Sequence, residues 1–444
     1  MANTDFKVII VGGGPVGLTA AHALSHAGID FVVLEGREDM FLDSGASLVL
    51  NPASLRVMQQ LGLLPSLKAI GAEMHHIKGY DLEGNTFEDH YGFNMVKTNL
   101  GIGPFAFHRS QLIEAIYNGL SATAKEKVLA GKRVMDIETK SDGVRVHCSD
   151  GSVHEGSIVI GADGVHSRTR RAMRKLALEE DPLREWDAET PFLTSYKCVW
   201  CSFPRPDGSV PGDGFNTHNT DKSTMYISGH DRSWIFLYEK LPEPTRERRS
   251  YSEKEAEDFA ATFADYPITD TLKVKDALPN RMTAGMANLE EGVLKHWSWG
   301  RIVLAGDACH KFTPNAGLGF NNGVQDIVVL CNRLQAAQSD APLDADALTK
   351  IFKDYQTERI AFVTGDESRS AHITRFHAWS DRIHYFISRF ILPFHFVQRL
   401  LLNYLTRKVA STALVLDYVS AEESFVGIFP WLHKMPKYVS RKLA

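Results

Sequence analysis

Gly12-Gly13-Gly14-Pro15-Val16-Gly17, a G-x-G-x-x-G run, decides the fold class of this chain. Before it lies Lys7–Val11, a short apolar stretch of the kind that forms a buried parallel strand. After it comes Leu18–Ala27, rich in alanine and leucine, with Gly28 at a C-cap position. Phe31–Leu34 is a second apolar strand, so the order is strand, glycine turn, helix, strand, a βαβ unit. Glycine serves there because the turn is tight, a pyrophosphate must approach the backbone, and the helix must sit close to the sheet. The helix N-terminus offers free N–H groups and the positive end of its dipole to phosphates. Glu35 ends the second strand 18 residues after Gly17, where an acidic side chain takes ribose hydroxyls. Gly12, Gly14, Pro15, Val16 and Gly17, with Glu35, Gly36 and Arg37, therefore read as a dinucleotide site.

The rest of the chain sets this unit in an ordinary globular protein. Its 444 residues are 44% hydrophobic and 23% charged, enough for two or three domains and a full core. A net charge of -5 excludes a global basic field that would recruit nucleic acid. Five irregularly spaced cysteines do not form a disulfide framework. Cys198 and Cys201 fall in a strand-like run, where positions i and i+3 face opposite ways, and no second pair completes a zinc site. We expect packed thiols and no metal. The N-terminal residues lack the pattern of a signal peptide and there is no N-x-[ST] acceptor, so the expected location is cytoplasmic.

Asn51–Leu61 reads as a helix, with Asn51 as N-cap and Pro52 at N1. Ser110–Leu120 is helical, and residues 128–160 hold short alternating strands with turns at Ser141-Asp142-Gly143 and Ser149-Asp150-Gly151. Residues 186–281, rich in proline, aromatics and strand-like runs such as Thr224–Ser228 and Trp234–Tyr238, read as a largely antiparallel sheet. Arg301–Leu304 is another buried strand, followed by a helix over Phe320–Leu334. The expected architecture is α/β. A Rossmann-like nucleotide-binding domain is built from residues 1–78, 105–185 and 282–370, with substrate-domain segments at 79–104 and 186–281 and a helical C-terminal region at 371–444. That last region carries ten Lys or Arg against four Asp or Glu, and Tyr385–Leu405 is dense in Phe, Ile and Leu. Charges and Pro393 interrupt it too often for a membrane span. Helical apolar spacing usually marks a core-facing stripe, which favours packing on the body over a peripheral membrane contact.

Two further glycine-bearing turns follow apolar strands. One is Gly161-Ala162-Asp163-Gly164-Val165-His166-Ser167-Arg168-Thr169-Arg170. The other is Gly306-Asp307-Ala308-Cys309-His310, continued by Pro314-Asn315-Ala316-Gly317-Leu318-Gly319 at the start of a helix. Asp307 is suited to accept ribityl hydroxyls, and backbone N–H groups near Gly317–Gly319 to meet an electron-rich ring edge.

In this order and spacing the three motifs resemble the G-x-G-x-x-G, Asp-Gly and Gly-Asp motifs of the single-component (group A) FAD monooxygenases of the para-hydroxybenzoate hydroxylase fold, over roughly residues 5–370. Val32-Val33-Leu34-Glu35, Gly45-Ala46-Ser47, Arg109 in His-Arg-Ser-Gln-Leu, and Tyr196-Lys197 resemble the fungal branch that epoxidises or hydroxylates prenylated indoles and meroterpenoids. The resemblance implies FAD as cofactor, NAD(P)H as co-substrate (NADPH favoured), O2, and oxygen transfer through a flavin C4a-hydroperoxide. It implies that Glu35 binds adenosine ribose, Gly45 and Ala46 line the FAD, Arg109 contacts it, and Asp307 holds its ribityl or pyrophosphate region. Pro314 and Ala316–Gly319 would touch the isoalloxazine, with Gly306 shaping the turn before them. Asp163, Gly164, Ser167 and Arg170 would serve FAD and NAD(P)H. Tyr196 stands where the family places a residue near the reaction centre, and Lys197 where arginine is common.

There is no second G-x-G-x-x-G, which favours transient nicotinamide docking on the FAD domain. Residues 186–281 hold no charged substrate clamp, and their aromatics suit an apolar small molecule. A phenol would need a base, for which His108, His218 and His230 are available. Three other readings are carried: an isoprenoid reductase, a non-enzymatic flavin-binding scaffold, and a flavin-dependent halogenase. The last is suggested by Trp297-Ser298-Trp299, but Gly300-Arg301-Ile302 follows in place of a halogenase motif, and the pair reads as core tryptophan.

Overall fold

The computed structural model describes residues 6–43, 46–338 and 343–437. The βαβ unit forms as the sequence dictates, with strand Lys7–Val11, helix Pro15–Ala27 and strand Asp30–Leu34. The two strands pair in parallel, Val8 against Phe31 and Val11 against Leu34. They belong to a six-stranded sheet in the order Ser298–Trp299, Ile302–Leu304, Ile158–Gly161, Lys7–Val11, Asp30–Leu34, Val128–Leu129. All its pairs are parallel except the one at the Ser298–Trp299 edge. Buried on both faces, its strands read as continuous apolar runs. The chain leaves Lys7–Val11 on one side and returns beside it as Ile158–Gly161, which opens a crevice at the carboxyl ends of these strands.

The second layer is an eight-stranded sheet. Its order is His310–Lys311, Thr283–Val293, Leu193–Pro204, Arg232–Thr245, Lys222–Ser228, Asp213–Asn219, His76–Tyr80, Thr86–His90. It is antiparallel except where Asp213–Asn219 runs parallel to His76–Tyr80. The sheet thus reaches beyond residues 186–281, taking in Thr283–Val293 and a hairpin that begins at His76. One face, with Val199, Cys201 and Leu237, is covered by Phe259 and Phe263 from helix Glu253–Ala261 and its end. The other, with Cys198, Phe236 and Tyr238, meets Ala46, Val49 and Ala106 of the nucleotide half. Cys198 and Cys201 are both buried, on opposite faces. Trp297 is fully buried with its indole N–H donating to the Leu294 carbonyl at 2.9 Å, a core residue.

Asn51 caps helix Pro52–Gln60, its side chain accepting from the Ser54 N–H at 3.0 Å. The C-terminal region is a strap. Gln60 donates to the carbonyls of Leu416 and Val419, the Tyr418 hydroxyl donates to Ala23, and the Arg56 guanidinium pairs with Glu423 at 2.7 Å. The apolar-dense stretch at 385–405 falls in two helices, Arg382–Phe390 and His395–Thr412, separated at Pro393. Both dock on the body, but not by the apolar stripe. Ser388, Thr406 and Ala410 face inward, while Ile383, Phe386, Phe394, Phe396 and Tyr404 are exposed. No helix among the described residues is long and apolar enough to cross a membrane.

Candidate active site

The first glycine turn is as tight as glycine permits. A Cβ on Gly17 would lie 1.9 Å from the Gly12 carbonyl oxygen, and one on Gly12, whose φ is +108°, would lie 2.5 Å from that of Ala162. Gly14 has open space where a side chain would be and caps the helix without a side-chain acceptor. Pro15 occupies the first helical turn, where its missing N–H costs nothing, so the remaining N–H groups of that end face an open side. Val16 lies against Gly306 and Gly323, at 3.0 and 2.5 Å from their notional Cβ positions, which brings the first and third motifs together.

Glu35 fixes the edge of this crevice. Its carboxylate accepts from the Gly13 N–H at 2.7 Å and the Arg37 N–H at 2.9 Å. Gly36 passes beside Arg133. A carboxylate has about four acceptor positions, so capacity for sugar hydroxyls remains. Arg109 begins helix Arg109–Asn118 with its N–H on the Ala46 carbonyl at 3.2 Å. Its side chain is solvent-reachable yet hemmed in by protein, the condition of a cleft lining. That crowding lowers its pKa; Asp307 and Glu35 oppose the shift and Arg37 adds to it. Glu35, Arg37, Arg109 and Asp307 therefore share one cleft. Gly45 lies outside the described residues.

The Asp-Gly turn is a bracket. Asp163 accepts from the Ser167 hydroxyl at 2.5 Å, the Arg168 N–H at 2.8 Å and the Thr169 N–H at 3.0 Å. Ser167 caps helix Arg168–Glu180 through the Arg170 N–H. Arg170 reaches the Ala308 carbonyl at 2.9 Å and that of Val165 at 2.8 Å, tying this turn to the third motif. These side chains hold the frame from inside, and Gly164 turns with a φ of +79° beside open space.

In the third motif Asp307 is half-buried and pairs with Lys311 at 2.5 Å. Pro314–Ala316 forms a short turn ended by Gly317 at a φ of +62°, whose notional Cβ would lie 3.2 Å from Val49. Leu318 and Gly319 then open helix Gly319–Gln338. This run lies against Val49, which itself packs on the inner face of the large sheet. Sequence reasoning missed the group that holds it: Asp326, fully buried, accepts from the Gly306 N–H at 3.0 Å, His310 at 2.6 Å and Arg359 at 2.8 Å. Burial pushes the Asp326 carboxyl up, but His310 and Arg359 outweigh it and hold it down at about 2. Cys309, His310 and Asp326 offer ligand atoms within 4.8 Å of one another, but Arg359 already supplies the compensating charge, so this is a hydrogen-bonded brace.

Tyr196 lies on strand Leu193–Pro204 and is buried, its hydroxyl without a protein partner. Burial pushes its pKa up to about 12. Glu291 and Arg375, paired at 2.9 Å, stand near it. Lys197 is not brought to this side. Strand parity turns it to the opposite face, where it pairs with Glu239 at 2.9 Å and lies 4.8 Å from the Phe259 ring. The three histidines have structural partners: His108 bonds Asp43, His218 bonds Ser388, and His230 bonds the Gly71 carbonyl.

The fold and the crevice define a flavin-nucleotide-binding protein of the para-hydroxybenzoate hydroxylase type. Residues 5–370 match the FAD binding domain family, and the chain belongs to it. It is 32% identical over 399 residues to the FAD-dependent monooxygenase ausM of Penicillium brasilianum, covering 88% of this chain and 83% of that protein. It is 34% identical over 409 residues to the FAD-dependent monooxygenase dpchE of Colletotrichum higginsianum, covering 89% and 86%. Among solved structures, Klebsiella pneumoniae HpxO complexed with FAD and uric acid superposes with a TM-score of 0.71 at 22% identity, covering 91% of this chain and 96% of that one. FqzB does so with a TM-score of 0.70 at 19% identity, covering 92% and 93%. Both show the same fold. Relationship to the FAD-dependent monooxygenases thus spans most of the chain, which makes it an oxidoreductase of that class.

Proposed function

We propose that the enzyme uses NAD(P)H and O2 to epoxidise or hydroxylate an apolar natural product, of the prenylated indole, meroterpenoid or polyketide kind. The observation that carries this is the apolar inner face of the large sheet, which meets Ala46 and Val49 of the nucleotide half. Met225, Phe236 and Leu289 line it, a surface suited to an apolar substrate. An alkene needs only position there.

FAD, when bound, supplies the redox chemistry: it takes a hydride from NAD(P)H and activates O2, one oxygen atom going to substrate and the other leaving as water. Glu35, Arg109 and Asp307 would hold it by ribose, pyrophosphate and ribityl. The uncapped helix end at Gly14–Pro15 would receive phosphate, and the Gly317–Gly319 backbone would face the ring edge. The sheet's inner face would orient the substrate and exclude water, which otherwise diverts reduced oxygen to hydrogen peroxide. Docking of NAD(P)H is supported by His166, beside Arg248, Arg170, Lys311 and Arg171. Burial first, and those cations next, lower the His166 pKa, and the Glu290 carboxylate stands 4.0 Å from its ring. Tyr196 is proposed to touch substrate, and the C-terminal helices to meet a membrane peripherally.

The test is turnover of prenylated aromatic and terpenoid alkenes by the FAD-loaded enzyme under isotopically labelled O2. One labelled oxygen in product, with NADPH consumed in equal amount, is expected. Unlabelled product, or product formed without O2, would overturn the reading in favour of a reductase.

A further inference from the structure

The two tail helices turn their large apolar side chains outward. A surface helix ordinarily turns its apolar stripe to the core and its polar side to water. In His395–Thr412 the inward side is mixed: Asn99 donates to both Asn403 and Thr406 at 2.9 Å, Gln398 donates to Glu88 at 3.3 Å, and Val409 and Ala410 pack with Leu100 and Trp431. The outward side carries Phe396, Leu400 and Tyr404, at 72, 55 and 65% exposure. Arg382–Phe390 repeats the arrangement, with Ser388 inward on His218 and Ile383, Phe386 and Phe390 outward. Phe394, in the turn between the helices, is 62% exposed. Such a contiguous apolar face marks a binding surface.

The charge around it selects the occupant. From Arg382 to Leu416 the sequence holds five Lys or Arg and no Asp or Glu, in a chain whose net charge is -5. Arg382, Arg399, Arg407 and Lys408 are exposed beside the apolar stripe. A second copy of this acidic chain would set basic side chains against basic side chains across a two-fold axis. An apolar stripe flanked by cations instead fits the interface of a bilayer bearing anionic lipid.

We infer that this face docks the enzyme on an anionic membrane surface, apolar side chains at the acyl boundary and basic ones at the headgroups, and that the substrate enters from the bilayer. The entry clause rests on the apolar-substrate reading above. Its structural basis is that both helices cover the outer edge of the large sheet: the Arg389 guanidinium lies 4.8 Å from the Phe87 ring, and Gln398 holds Glu88, both on strand Thr86–His90. Docking there brings that edge of the proposed substrate layer to the lipid.

The experiment is co-sedimentation of the FAD-loaded enzyme, without substrate, with vesicles of phosphatidylcholine alone and of phosphatidylcholine mixed with phosphatidylserine. Binding to the mixed vesicles is expected to exceed binding to the neutral ones by about tenfold and to weaken with salt. The variant Phe386→Ser/Phe394→Ser/Phe396→Ser should lose it about tenfold or more while keeping FAD. The charge variant Arg399→Glu/Arg407→Glu/Lys408→Glu should lose the preference for phosphatidylserine. No binding to either vesicle, or a dimer in light scattering that the triple serine variant abolishes, would overturn the inference. Because no turnover is read, a wrong substrate assignment leaves these outcomes unchanged. If vesicle binding holds but prenylated substrates dissolved in the bilayer are turned over no better than in detergent, the entry clause alone falls.

Discussion

The crevice around the glycine turns and the inner face of the large sheet treat buried polar groups in opposite ways. In the crevice three carboxylates are bonded several times over: Glu35 holds the Gly13 and Arg37 backbones, Asp163 its own helix, and Asp326 a glycine N–H, a histidine and an arginine. On the sheet face the Tyr196 and Tyr238 hydroxyls and the Trp200 indole N–H are buried with no protein partner, as are one nitrogen each of His218 and His377. Leaving such groups unpaired costs about 1–3 kcal/mol each, so their concentration in one layer marks a place shaped for something other than stability. The first region is a rigid frame for a nucleotide common to many proteins. The second is the layer that, on the proposed function, meets the substrate.

The contrast breaks most readily at Asp326. Asp326→Ala leaves the Arg359 guanidinium buried without its counter-charge, and should cost about 3–5 kcal/mol in chemical denaturation together with FAD retention. Gly17→Ala should leave the sheet cores intact yet abolish FAD binding, because the added Cβ collides with the Gly12 carbonyl; visible absorbance against near-ultraviolet circular dichroism separates the two effects.

Acid probes the other region. Burial lowers the His377 pKa to about 4 and takes that of His218 well below its ordinary value, and their rings lie 4.6 Å apart. The folded state holds both neutral, whereas the unfolded chain takes up protons below about pH 6.5. Their contribution is therefore intact above that pH and is lost as pH falls towards 4, with about 1 kcal/mol lost at about pH 5.5 for His377 alone. Urea midpoints across this window should fall in the native enzyme and flatten in a His218→Gln/His377→Gln variant.

Tyr196→Phe removes a hydroxyl with no protein partner. It should change stability by less than about 1 kcal/mol while raising KM or the fraction of O2 lost as hydrogen peroxide. Lys197→Met, on the far face, should move stability by no more than about 0.5 kcal/mol and leave turnover unchanged. A larger loss of turnover from Lys197→Met than from Tyr196→Phe would reverse the assignment of the two faces.

Much of the frame was legible because it is local. The glycine turns, Glu35, the parallel strands and the Asn51 cap follow from residues close together in sequence. What escaped depends on distant partners or on parity. Asp326 reads as one more acidic residue in a helix until Arg359, 33 residues on, and His310 close over it. Lys197 was named with Tyr196 through the family resemblance, although neighbours on a strand face opposite ways. The hairpin at 76–90 was placed only within a segment starting at 79, because its pairing with Asp213–Asn219, far along the chain, leaves no local mark. Apolar spacing in the tail fixed the helices but not their orientation: amphipathicity states that a stripe exists, and only tertiary structure states which way it points.

The central claim is that the crevice binds FAD and passes electrons from NAD(P)H to O2. Its most direct test is the visible spectrum of the purified enzyme, recorded as isolated, after NADPH without oxygen, and after oxygen is admitted. Flavin bands that NADPH bleaches and O2 restores are the predicted result. A colourless protein that takes up no added FAD would contradict the account at its root.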